Sequence, residues 1–461
     1  MLNDPGSFRD PSGKVYISDH DVVYRYVFLP GIADYEASKE NGIYEILFNA
    51  GLLIGHEEIS NRAEKDAEIQ YCLKHPKLPM VSYPWEWSFS MLKDAALIHL
   101  DIMETIIPLG FWLRDANAFN VQFDGEKLVF IDTLSVGKRI VGSPWVAYGQ
   151  FCSHFLAPLA MAAYCDVRLL SMWRSSLNGF PLDLAAKTLS IGKKIKPGLF
   201  LHLVLHSYFQ SMADIKGHIN GKRKKKRTTM SDAGLIGLIR SLRKTISNIQ
   251  WKRSSAIWES YNDIRTYDSN DVSEKFNFVE VVIDKLKPDI VWDLGANTGD
   301  FSIIAASKGS FVVSIDGDPA CTESLYIRLS QDRTIKNILP LTMDLSNPSP
   351  GIGWNNQERM SLNERGPADL VLALALVHHL VLSNNIPLSH IAQWFAQISR
   401  HLLVEFIPSD DPMVKKLVEN RLDQHLPYSY FIFKESFEKY FTFIEEKPLR
   451  NGRSLFWFEK K

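Results

Sequence analysis

In the second half of the chain, short apolar runs alternate with stretches of helical spacing. Residues 276–286 repeat apolar positions at helical intervals, and 289–293 is a compact apolar run that ends in an acid and a glycine turn. Residues 301–307 read as helix, 311–315 as a β-branched strand ending in an acid, and 322–329 as helix again. Further on, 369–374 reads as a buried strand, 390–399 as an amphipathic helix and 402–406 as a strand. Strands written as continuous apolar runs between helices call for a parallel sheet covered on both faces. The expected fold class is therefore α/β, a Rossmann-like sheet with helices on both faces, whose ligands sit beyond the carboxyl ends of the strands. Two aromatic runs near the end, 440–444 and 455–458, suit a closing antiparallel hairpin.

The stretch 216–230, KGHINGKRKKKRTTM, has no apolar periodicity and carries a block of like charges. Such blocks repel and seldom pack, so it reads as a linker or exposed loop. Apolar residues at helical spacing follow (Leu235, Leu238, Ile239, Leu242), as in an amphipathic helix leading into the next domain. The expected division is a first domain over 1–215, a basic linker and connecting helix over 216–250, and a second domain over 251–461.

Composition adds limits. The chain has 461 residues, 46% hydrophobic and 23% charged, with a formal net charge of -1, so no global field draws it to nucleic acid or membrane. The four cysteines, Cys72, Cys152, Cys165 and Cys321, have no paired spacing and read as reduced thiols. The polar amino terminus is no signal peptide and no apolar stretch is long enough to span a bilayer, so a cytoplasmic protein without a membrane partner is expected. Nucleic acid has one candidate contact, the basic run 222–227 with Lys222 at its start and Arg227 at its end, but in a chain of net charge -1 a solvated linker is the commoner explanation of such a run.

The densest chemical pattern is IVWDLGANTGDFS, residues 290–302. A strand runs into Asp293, then Gly295, Asn297 and Gly299 form a turn, and a helix begins. The glycines permit close backbone approach to a ligand, and the helix start offers free amides. About twenty residues beyond the glycine loop, Asp316 ends the next strand, where an acid accepts both hydroxyls of a ribose. A third acid, Asp344, follows another apolar run. Acids in this order after successive strands, with acid–x–Gly–x–x–x–Gly in the first loop, resemble the class I S-adenosylmethionine (SAM)-dependent methyltransferases. The resemblance implies SAM as cofactor, held by Asp293, Gly295, Asn297, Gly299, Asp316 and Asp344. A nicotinamide fingerprint started at Gly295 would want glycines where Asn297 and Asp300 stand.

Methyl transfer from a sulfonium asks chiefly for alignment and exclusion of water. The acceptor site is expected after the strand in ADLVLALALVHHL, where His378 and His379 are candidate general bases. Glu405 ends the following strand and is the third candidate catalytic residue, lining the acceptor cavity, with Asp410 and Asp411 as helix caps or further lining. Neither an Asn-Pro-Pro-aromatic motif nor a Pro-Cys nucleophile is present there. The acceptor, an oxygen or nitrogen nucleophile on a small molecule or glycan rather than a nucleobase, is otherwise unidentified.

In the first half, LRDANAFNVQFDGEKLVFIDTLSV (113–136) sets Asp115 before Asn120, then a hairpin, then Asp132. The layout resembles the catalytic lobe of kinase-like folds, and implies an α+β kinase-like domain in which Asn120 and Asp132 would hold metal if it were active; otherwise no metal is expected. No glycine-rich loop accompanies it, only Gly13, and Arg25 stands where a kinase would place its lysine. A noncatalytic kinase-like module is the first reading; a nucleotide-sensing or phosphotransferring half in a regulatory or bifunctional protein is the alternative. The whole layout, including the cluster Tyr83, Trp85 and Trp87, is similar to bacterial two-domain SAM-dependent methyltransferases, some of them nodulation-related. The aromatic cluster is expected in the core.

Overall fold

A computed structural model describes residues 2–18, 22–59, 69–209, 229–252, 269–419 and 427–461. The basic run 222–227 lies outside the described residues. The chain divides into two compact units, Met1–Phe123 with Lys127–Lys252 and Ile352–Arg359, and Asp124–Glu126 with Arg253–Gly351 and Met360–Lys461.

The first unit opens on an antiparallel sheet of order β1-β2-β3-β5-β4, made of β1 (Leu2–Asn3), β2 (Gly13–Ile17), β3 (Val23–Phe28), β4 (Glu57–Glu58) and β5 (Ile69–His75). The helices Leu29–Glu40 and Ile43–Asn49 lie between β3 and β4 in the chain. The helix Phe89–Ile106 follows, started by the Ser88 hydroxyl accepting from the Met91 amide; it buries a broad face that includes Leu92, Ile102 and Met103 and leaves Lys93, Leu97, Asp101 and Glu104 along one less buried stripe. A wide apolar face beside a mostly polar stripe marks a helix packed on a core. After it, β6 (Phe111–Leu113) pairs with β9 (Val136–Lys138), and β7 (Val121–Asp124) with β8 (Lys127–Phe130) forms a hairpin between them in sequence. Tyr83, Trp85 and Trp87 are buried, as expected of core residues; Tyr83 stacks on Trp85 with ring centroids 4.8 Å apart, and the Trp87 indole donates to Ser82 Oγ.

The amphipathic stretch after the linker does form a helix, Asp232–Asn248, but it belongs to the first unit. Its stripe of Leu235, Ile239, Leu242 and Ile246 is buried, and it packs on Phe89–Ile106. Arg243 ties the two helices by donating to Asp101 (2.5 Å) and Glu104 (3.1 Å), and Lys93 Nζ reaches the carbonyls of Ser247 and Ile249. Apolar spacing established that this segment was helical and one-sided. The tertiary fold decided which core received that side.

The second unit is a seven-stranded sheet of order β12-β11-β10-β13-β14-β16-β15. β10 (Ile290–Leu294), β11 (Phe311–Asp316), β12 (Ile338–Thr342), β13 (Ala368–Ala373) and β14 (Ser399–Phe406) run parallel. β15 (Phe441–Pro448) and β16 (Ser454–Lys460) are the expected closing hairpin, with β16 inserted antiparallel beside β14. The predicted strands all form, β10, β11, β13 and β16 within two residues of their expected limits, while β14 starts three residues earlier and β15 runs four residues further than expected. Parallel pairing needs crossovers, supplied by helices Asp300–Ser307, Pro319–Gln331 and Leu388–Ile398. The apolar core between sheet and helices includes Val279, Val291, Val312, Leu325, Leu370 and Leu403. Strand order reverses at β10, with β11 on one side and β13 on the other, and that switch point is where an open α/β sheet leaves a crevice.

Candidate functional site

The crevice is a cavity of about 400 Å³ at the carboxyl ends of β10, β11 and β13. Its lining includes Asp293, Gly295, Asn297, Asp316, Asp344 and His379, so residues expected from four separate segments meet at one place. The loop after β10 folds through three left-handed residues, Gly295 (φ 76), Asn297 (φ 51) and Gly299 (φ 82). This explains why asparagine serves where a third glycine might stand, since it tolerates that conformation better than most residues. At Gly299 a methyl group would lie 2.7 Å from the Leu325 side chain, so glycine is required twice over, by conformation and by packing.

The acids have distinct surroundings. Asp293 is buried and accepts from the Ser302 hydroxyl at 2.6 Å. Burial, reinforced by the charge of Asp316, pushes its carboxyl up to about 6, against the opposing Ser302 hydrogen bond. Asp316 accepts the Asn297 amide on one oxygen and the Asp318 amide on the other, each at 2.8 Å. Burial raises its carboxyl too, while those two amides favour the charged form. Asp316 therefore clamps the glycine loop to the end of β11 and keeps a carboxylate at the cavity wall. Asp344 is exposed, and its Oδ1 accepts both the amide and the hydroxyl of Ser346.

The three residues expected to carry catalysis separate. His379 lines the cavity; His378 is buried beside it, ring centroids 4.2 Å apart, and is not among the lining residues. Burial lowers His379 to about 4 and holds His378 well below the ordinary histidine range, with the neighbouring His379 adding to the effect on His378. Both rings are neutral at pH 7. Glu405 is wholly buried and also lies outside the lining; it accepts from Lys275 at 2.7 Å and pairs with Arg453 at 3.8 Å. Lys275 and Arg453 are the residues that reach the cavity in its place. Asp411 both caps the helix Pro412–Val418 and pairs with Arg453 at 2.9 Å. No local pattern announces Lys275 or Arg453, because each is recruited across the fold by Glu405. Ala375, two residues beyond β13, also lines the site with φ 53, a conformation costly for alanine that no local sequence pattern announces.

In the first unit, Asp115, Asn120, Asp132 and Arg25 also come together. Arg25 donates to Asp132 Oδ1 and Ser135 donates to Asp132 Oδ2, while the Asn120 amide donates to Ser135. Burial, then the nearby Asp132 charge, raises Asp115 to about 6. Both oxygens of Asp132 are thus occupied by side chains of the same unit. Among the described residues, no group of three or more His, Cys, Asp or Glu is arranged to hold a metal ion.

The second unit is thus an open, mostly parallel α/β sheet with an acid-lined ligand cavity at its switch point. No family model matches the chain. Over 460 residues, 99% of its length, it is 32% identical to the nodulation protein NoeA of Rhizobium meliloti (strain 1021), of which the match covers 95%; the chain belongs to the NoeA family. Among solved structures it is similar to the N-methyltransferase NodS from Bradyrhizobium japonicum WM9 (12% identity, 42% of this chain and 98% of that one, TM-score 0.31). It is also similar to magnesium protoporphyrin IX methyltransferase from Synechocystis PCC 6803 (14% identity, 44% and 94%, TM-score 0.32).

Proposed function

We propose that this protein is a SAM-dependent methyltransferase of class I, with its cofactor held in the cavity of the second unit. The observation that carries the reading is Asp316, a buried carboxylate at the end of β11, fixed by two backbone amides beside a left-handed Gly295–Asn297–Gly299 loop. A charged acceptor in that position suits a ribose diol, whose two hydroxyls are donors. Asp344, with Oδ1 taken by Ser346, keeps Oδ2 for an amino group at the far side. Asp293 braces the loop through Ser302 rather than acting from the surface.

The bound cofactor supplies an electrophilic methyl group. The chain's own part is to align an acceptor and exclude water. His379, neutral and at the cavity wall, accepts a hydrogen bond from an acceptor hydroxyl or amine. With its pKa lowered to about 4 it is a weak base, and orientation is its main contribution. Lys275 and Arg453, held by Glu405, also line the cavity. The acceptor is an oxygen or nitrogen nucleophile small enough to enter beside His379.

For the first unit we propose a kinase-like module that does not transfer phosphate and that recruits or orients the acceptor. Support comes from its five-stranded antiparallel sheet, the helices set between β3 and β4, and the grouping of Arg25, Asp115, Asn120 and Asp132. The engagement of both Asp132 oxygens speaks against metal-dependent phosphotransfer there. Calorimetric titration with SAM, run beside an Asp316→Ala variant, tests the main proposal. Micromolar binding by the intact chain, lost in the variant, is expected; a folded wild type that binds no SAM would refute it.

A further inference from the structure

The segment Leu182 to Phe209 of the first unit is unusual in what it exposes. It contains the helices Leu182–Thr188, Ile191–Lys194 and Pro197–Leu199, followed by the wide-turned Phe200–Leu205 helix. Leu199 and Leu203 point into the unit and are buried, while Ile191, Ile195, Phe200, Leu201, Tyr208 and Phe209 are exposed, from 47% to 79%. Ile191 and Ile195 are four residues apart, one helical turn. In Phe200–Leu205 the wider turn slows the rotation of side chains about the axis, and the chain continues as α-helix to 209, so that Phe200 and Tyr208, and likewise Leu201 and Phe209, stay close to one side. Large apolar side chains gathered in this way on a monomer's surface mark an interaction site rather than scattered exposure.

Its charge is equally one-sided. The described segment has four lysines, Lys187, Lys193, Lys194 and Lys196, and a single acid, Asp183, already paired with Lys187. Lys193 and Lys196 crowd over the same ring, their ammonium groups 4.8 and 4.6 Å from the centroid of Tyr164. The Tyr164 ring and its hydroxyl, which accepts from Lys196 at 3.1 Å, offset part of the repulsion between these like charges, and an anionic partner would relieve the rest.

We propose that this surface is a docking site for an anionic lipid bilayer, on which the protein lies without crossing it. Exposed apolar side chains on the same segment as a set of lysines are the chemistry of an interfacial anchor, with the alkyl groups entering the acyl boundary and the ammonium groups meeting lipid phosphates. A nucleic acid offers the phosphates but nothing to cover Ile191, Ile195 and Phe209. A second copy of the chain, meeting this surface with its own equivalent, would set lysine cluster against lysine cluster. Among the described residues no helix is long and apolar enough to cross a membrane, so contact is with the surface. The near-neutral net charge that argued against a membrane partner averages over a patch that is locally basic and apolar.

Flotation of the full-length protein with vesicles tests the proposal. The protein is expected to float with phosphatidylcholine–phosphatidylglycerol vesicles, to stay behind with phosphatidylcholine alone, and to be released by salt. Replacing Lys193 and Lys196 by serine should weaken the association roughly fivefold per lysine. The double variant Ile191→Ser, Ile195→Ser should weaken it tenfold or more, with circular dichroism and thermal midpoint unchanged because both side chains face solvent. Absence of binding to the anionic vesicles overturns the proposal. So does binding that survives both sets of substitutions, which would assign it to another segment. A concentration-dependent dimer abolished by the isoleucine variant, without vesicle binding, would give the patch to a second copy of the chain and overturn it as well.

Discussion

Lys275 donates to Glu405 at 2.7 Å across 130 residues of sequence, and both side chains are withdrawn from solvent, at 7% and 0% exposure. Arg453 and Asp411 extend the pair into a buried network of two cations and two anions. Removing one member leaves a charge uncompensated in a medium that solvates it poorly. Glu405→Gln is expected to destabilise the protein by about 3–5 kcal/mol and to loosen the cavity wall formed by Lys275 and Arg453. Urea unfolding measures the first effect. The double variant Lys275→Met, Glu405→Gln should lose less than the sum of the single changes, because their coupling disappears with the pair. A loss below about 1 kcal/mol for Glu405→Gln would show that the network is dispensable.

Acid should weaken the fold. Burial lowers His75 and His154 to about 3, and His99 and His379 to about 4. Between those values and an unfolded pKa of about 6.5, each is neutral in the fold and protonated in the unfolded chain. Stability therefore falls as pH drops below about 6.5, by roughly 3 kcal/mol per histidine once the folded pKa is reached. Asp115 and Asp293, raised to about 6, work in the opposite direction between about pH 4 and 6, because the fold then holds protons that the unfolded chain releases. Four histidines outweigh two aspartates. Thermal midpoints recorded from pH 8 to 4.5 should decline steadily, and a flat or rising profile would contradict this balance.

Gly299 offers a test of the cofactor loop apart from its acids. Gly299→Ala forces a left-handed alanine, at about 1–2 kcal/mol, and drives its methyl group into Leu325. Loss of about 2–4 kcal/mol in stability and at least tenfold weaker SAM binding is expected. Ala375→Gly should do the reverse, leaving the midpoint level or slightly raised, since glycine relaxes the strained φ of 53 at that position.

The arrangement around Asp132 predicts an inert phosphotransfer site. Incubation with magnesium and ATP should yield neither hydrolysis nor phosphorylated product, because the Arg25 guanidinium already neutralises Asp132 and would repel a metal ion there. Metal-dependent turnover, abolished by Asp132→Ala, would instead favour a bifunctional protein.

What the sequence determined by itself is the second unit's alternation of strand and helix and the acids and glycine loop of its cavity. Strands buried on both faces are written as unbroken apolar runs, and acids at their carboxyl ends stand in polar turns, so both survive in a one-dimensional reading. Asp293, Asn297, Asp316 and Asp344 could be named for that reason. The first unit's sheet was harder to read. β3 alternates tyrosine, arginine and valine and keeps most residues only half buried, so its pattern stays close to that of an irregular segment. Only the tertiary structure decided that the helix Asp232–Asn248 packs backward onto Phe89–Ile106, that Glu405 is consumed by Lys275 and Arg453, and that His379 rather than His378 meets the cavity. An amphipathic stripe specifies a buried side without specifying its partner, and an ionisable side chain specifies a charge without specifying what neutralises it. Those choices depend on contacts between residues far apart in the chain, and they exist only once the chain has folded.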